Sequence, residues 1–192
     1  MTLRTSLRTA LLIPAAIVIG ACDVPTRAGE GWVRASLSGG VTGTYSGTGD
    51  FLESGGALNA MKSFTISSRG ASATLLVIRE NGLRPARGQY SFGWFDPAKA
   101  GADRFAVIYE QISADRIDSY ASTGGELTIE TSSPEEVRGS FRMQAVRYCS
   151  EERTGLQTGP CQLGSAPPPG APTIEVTGTF SAVRDDPAAI PM

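Results

Sequence analysis

From Trp32 onward the apolar residues of this chain recur with a period of two rather than 3.6, which predicts strands and not helices. Nine segments carry that period: 32–37, 41–51, 63–68, 73–79, 89–95, 105–111, 126–131, 137–148 and 173–183. Turns containing Gly, Ser, Pro or Asn separate them, as in a sandwich or barrel. Asn81-Gly82 is a strong turn signal, and Pro85 places the chain after it at a sheet edge or in a loop. Ser132-Ser133-Pro134-Glu135-Glu136 reads as a hairpin loop between two strands. The expected fold is all-β: a single antiparallel β-sandwich or partly open β-barrel of about nine strands, following an N-terminal signal helix.

One pattern occurs three times within these strands: Val41-Thr42-Gly43-Thr44-Tyr45-Ser46, Val137-Arg138-Gly139-Ser140-Phe141-Arg142 and Val176-Thr177-Gly178-Thr179-Phe180-Ser181. In each, Val, Gly and the aromatic share parity and point to one face. The glycine lets another backbone or ring approach closely, or marks a bulge. The copies lie 96 and 39 residues apart, so they are not a solenoid or propeller repeat. Packing where the sheets cross is the expected role.

The first 22 residues have a different pattern. Arg4 and Arg8 precede an apolar run from Ala10 to Ala21, which ends in Ile19-Gly20-Ala21-Cys22. Basic start, apolar run and small residues form the layout of a secretory signal. The run is about 12 residues long and contains Pro14, whereas spanning a bilayer takes roughly 17 to 25. The closing four residues resemble the bacterial lipobox, which implies cleavage between Ala21 and Cys22 and a diacylglyceryl group on the Cys22 thiol. Two acyl chains anchor where one gives only marginal binding. The expected organisation is a lipoprotein signal peptide over 1–21, a lipidated tether over 22–31, an antiparallel β domain over 32–184 and a loose tail over 185–192. By resemblance to the enterobacterial sorting rule, Asp23 after the cysteine would retain the protein at the inner membrane; inner and outer membrane both stay open. Either way the domain is expected to face the periplasm or the exterior.

Composition narrows the function. Beyond the signal, 15 Lys and Arg stand against 19 Asp and Glu, a net charge near −4, so no basic field recruits nucleic acid. Histidine is absent, which removes the usual base near neutral pH, His-dependent triads and nearly all zinc geometries. With Cys22 lipidated, Cys149 and Cys161 remain as an even pair in an oxidising compartment. A disulfide between them closes a loop of about 13 residues and contributes roughly 3 kcal/mol in the chain-entropy view. After it, 164–172 (GSAPPPGAP) is a stiff connector.

Catalytic motifs fail in turn. Gly43-Thr44-Tyr45-Ser46-Gly47 has its serine one place too late for a nucleophile elbow. Neither Lys62 nor Lys99 follows a serine at the spacing of S-x-x-K, and no P-loop occurs. Asp115 and Asp118 are too sparse for a calcium loop. No catalytic residue, metal or cofactor is expected. Tyr90, Phe92 and Trp94 alternate on one strand face opposite Gln89, Ser91 and Gly93. That asymmetry favours a core face; turned outward, the three rings would form a stacking platform for a sugar, peptide or lipid.

Tyr120-Ala121-Ser122-Thr123-Gly124-Gly125-Glu126-Leu127-Thr128-Ile129, followed by the second and third Val-x-Gly patterns, resembles an uncharacterised β-sandwich-type domain of bacterial lipoproteins. The resemblance implies an antiparallel β domain and carries over no catalytic residue. Taken together these readings lead to a lipid-anchored cell-envelope protein, a non-enzymatic binding or scaffolding module with an envelope partner. The alternative is a lipocalin-like carrier whose interior holds a small apolar ligand between residues such as Phe64, Leu76, Val107 and Phe141. A carboxylate-based hydrolase is the remote third reading.

Overall fold

A computed structural model describes residues 30–54, 63–80, 82–94, 104–152 and 166–185; the lipobox segment, Cys161 and the tail lie outside them. The described chain is all-β, in ten strands: β1 (Trp32–Gly39), β2 (Gly43–Thr48), β3 (Asp50–Ser54), β4 (Ser63–Arg69), β5 (Ala73–Glu80), β6 (Gly88–Ser91), β7 (Phe105–Ile112), β8 (Arg116–Ser132), β9 (Glu136–Glu152) and β10 (Thr173–Arg184). Alternation drives them: Val33, Ala35 and Leu37 of β1 are buried while Arg34, Ser36 and Ser38 are exposed.

Hydrogen bonding joins the strands into one ten-stranded sheet, whose two halves, the first and second sheet, share their longest members. One sheet runs β2-β1-β10-β9-β8-β6. The other runs β3-β4-β5-β7 and continues into the first half of β8 and the second half of β9. A short parallel pairing of Val183 and Arg184 with Asp50 and Phe51 joins β10 to β3, and the strands close into an irregular ring. The other strand pairings in the ring are antiparallel. The last strand pairs with β9 on one side and β1 on the other.

Three departures from the expected strands have local causes. The segment 41–51 divides at Gly49, where the chain passes from one sheet to the other; a Cβ there would stand 2.8 Å from both Trp32 N and Ser181 O. The strand expected over 126–131 begins ten residues earlier, because Asp118, Ser119 and Ser122-Thr123-Gly124-Gly125 look like loop but lie in β8. Here the ladder with β9 slips between Ser122 and Gly124, a bulge that turns the strand from one sheet into the other. Gly125 takes φ +124°, and a Cβ on it would collide with the Arg142 carbonyl. The fully buried Ser122 Oγ accepts from Val107 N–H at 2.9 Å and donates to the Gly93 carbonyl at 2.7 Å. Finally, β6 stops at Ser91, with Phe92 bridging to Phe105.

The ring is filled by its own side chains. Phe51, Phe64, Phe105, Ile66, Leu75, Leu127, Ile129 and Met143 are all fully buried, each contributing roughly 1.5–3 kcal/mol of apolar burial. Tyr109 packs between Tyr45 and Tyr120 in the same core, its ring centroid 6.2 Å from each of theirs. Burial, with Tyr45 and Tyr120 adjacent, pushes the Tyr109 hydroxyl up to about 12. The second and third Val-x-Gly motifs interlock: Phe141 pairs with Gly178 and Phe180 with Gly139, so each ring lies where the opposite strand has no side chain. Ala106, Ile108, Ala121 and Val146 are buried on the outer side of the second sheet, apart from this core.

Candidate functional site

The outer face of the first sheet carries two parallel rows of polar side chains, seven hydroxyls with Arg34, Arg142 and Glu126 among them. One row reads Ser46, Arg34, Thr179, Ser140, Thr128 across β2, β1, β10, β9 and β8. The adjacent row reads Thr44, Ser36, Thr177, Arg142, Glu126 across the same strands. Together they line an open trough of about 740 Å³, within the size range of ligand sites.

Between the two polar rows runs an inner row of Tyr45, Ala35, Gly178 and Phe141, and these residues form the trough's floor. Ala35 and Gly178, the middle pair, put almost no side chain beneath the sheet, so the strand at Gly178 lies directly on the Phe141 ring. There is no room to spare: a Cβ on Gly178 would stand 2.5 Å from Arg34 O and 2.8 Å from both Ala35 Cβ and Phe141 Cζ. The Val-x-Gly-x-aromatic motif thus supplies part of the trough's floor while its own large side chains stay in the core.

Charge along the trough is balanced. Arg142 Nε meets Glu175 Oε1 at 2.5 Å and stands opposite Glu126 in the β8–β9 register. The Arg34 guanidinium lies over the Trp32 ring, 5.3 Å from its centroid. At the Trp32 end, Glu136 Oε1 accepts from Ser181 Oγ and from Arg138 Nε, each at 2.6 Å. The Ser181 hydroxyl foremost, then Arg138, holds the Glu136 carboxyl below its usual range despite some desolvation. The hydroxyls both donate and accept, and β1, β10 and β9 are each paired on both sides. Along these three strands the trough therefore offers side-chain groups rather than free backbone. Among the described residues no group of three or more His, Cys, Asp or Glu is placed to hold a metal ion.

The residues singled out from sequence do not converge on this trough. Ala21, Cys22 and Cys161 lie outside the described residues, and Cys149 is half-buried on β9 opposite Ser119. Phe92 is core and Tyr90 packs against it, its hydroxyl donating to the Ala86 carbonyl at 2.8 Å. Trp94, half-buried, instead meets Tyr148 edge-on at 6.4 Å. Phe64, Val107 and Phe141 belong to the ring's core, whereas Leu76 is half-buried at the opposite parity to Leu75 and Val77. The trough hydroxyls were missed because polar positions on a strand read as ordinary solvent-facing residues. The available signal was that the same polar parity, Thr44 and Ser46, Ser140 and Arg142, Thr177 and Thr179, recurs in every copy of the motif.

No protein-family model matches the chain, and neither the curated proteins nor the solved structures include a match. Among the described residues no helix is long and apolar enough to cross a membrane.

Proposed function

We propose that this protein is a cell-envelope lipoprotein, cleaved before Cys22 and anchored there, whose β domain is a non-enzymatic binding module that uses the trough. The observation that carries the reading is a hydroxyl-lined depression of about 740 Å³ on the outside of a ring whose interior is packed with side chains. That contrast favours an external binding surface over an interior apolar cargo. The tether lets the trough reach partners away from the membrane, and a Cys149–Cys161 disulfide would secure the end of β9 near Ser119.

Two experiments test this. Cys22→Ala should abolish acyl labelling and leave the precursor uncleaved; persistence of label and processed size removes the anchor. For the trough, full-length protein on beads is exposed to a digest of the isolated envelope, beside Thr179→Trp, which fills the depression. A component retained by the wild type and lost from the folded variant supports the reading. Equal retention, or none by either, sinks it.

A further inference from the structure

Resting on that reading of the trough, we infer that its ligand is a neutral oligosaccharide lying across the strands. Charge excludes the obvious competitors. Arg142 is engaged by Glu175 and faced by Glu126, and the Arg34 guanidinium lies against Trp32, so two cations stand with two carboxylates along the trough and no net positive field is left for a phosphate or an acidic polymer. A lipid chain is a poor match for walls of Ser36, Thr44, Ser46, Thr177 and Thr179. An extended peptide adding a strand would have to sit outside β2, at the sheet edge, and not in the trough, because β1, β10 and β9 have their backbone groups committed on both sides.

Sugar hydroxyls, by contrast, are matched in kind. Each Ser or Thr offers one donor and two acceptors without a net charge. The geometry matches as well. Neighbouring strands are about 4.8 Å apart, close to the length of one pyranose unit, so successive units would each meet at least one hydroxyl, a pair on β2 and β10 and a single one beside a charged side chain on β1, β9 and β8. Thr177 and Thr179 on β10 and Ser140 on β9 would serve adjacent units in this way. Beside the first row, two residues from Arg34 along β1, Trp32 with that guanidinium stacked against it forms an amphipathic flank of the sort that packs on a sugar face.

The test is calorimetric titration of full-length protein, in a detergent without a sugar headgroup, with cellohexaose, laminarihexaose, maltohexaose, chitohexaose and the acidic tetragalacturonate. Binding by at least one neutral hexasaccharide, and none by tetragalacturonate, is expected. Combining Thr179→Val with Ser140→Ala should then weaken that binding about tenfold, the loss of two hydroxyl contacts; thermal melts check that the variant is folded, and Ser46→Ala alone is the milder substitute. Failure of every neutral sugar, preference for the acidic one, or unchanged affinity in the folded variants overturns the inference. If the sugars fail while Thr179→Trp still loses an envelope component, the ligand class is wrong and the trough stands; if both fail, both readings fall.

Discussion

Gly178→Ala is the most revealing single change, because it adds one methyl group at the point where the sheet lies directly on the Phe141 ring. The new Cβ would stand 2.5 Å from the Arg34 carbonyl and 2.8 Å from Ala35 Cβ and Phe141 Cζ. Overpacking typically costs about 1–3 kcal/mol. One neighbour here is main chain in a strand paired on both sides, so the upper half of that range applies. The φ at Gly178 is not in the left-handed region, so stiffening of the unfolded chain returns about 0.4–1 kcal/mol. The net expectation is a loss of about 1–2.5 kcal/mol. For a domain this size each kcal/mol shifts Tm by roughly 2–4 °C, so the melt should fall by about 2–10 °C. Urea unfolding should show a lower midpoint at unchanged m-value, with Thr177→Ala, exposed on the other face of β10, within about 0.5 kcal/mol of wild type. If Gly178→Ala is as stable as the wild type, the middle of the sheet is not close-packed on the Phe141 ring.

Ser122→Ala should be costlier than its size suggests, since it strands Val107 N–H and the Gly93 carbonyl at about 1–3 kcal/mol per buried group; a loss under about 1 kcal/mol in urea would mean the corner is not held by that hydroxyl. In an absorbance titration, Tyr109 should ionise only near pH 12. The unfolded chain releases that proton near 10 while the folded one keeps it, so stability falls as pH rises from about 10 to 12, by up to about 1.4 kcal/mol per pH unit. Tyr109→Phe should flatten that decline; an equally steep decline would place its cause elsewhere.

The fold was largely legible because period-two burial is a local signal. Val33, Ala35 and Leu37 announce an inner face without reference to any other strand. What was not legible depended on partners. Ser122-Thr123-Gly124-Gly125 has turn composition, and only its pairing with Ala145 to Met143 of β9 and its contacts to Gly93 and Phe92 make it a strand corner. Likewise, Tyr90, Phe92 and Trp94 share parity in sequence, yet the strand ends at Ser91 and sends Trp94 to Tyr148 instead. The trough was hidden for a related reason. A Thr on a strand carries no sign of whether its sheet is flat or concave, and the small floor residues Ala35 and Gly178 are brought opposite each other on adjacent strands only by register.

The most direct test of the trough as the binding surface is photo-crosslinking in the intact envelope. A benzophenone side chain is placed at Thr177, exposed in the middle of the trough, and separately at Ser67, on β4 of the other sheet. The account predicts a discrete adduct from position 177 and none from position 67. No adduct at 177, or the same adduct from both positions, would contradict it.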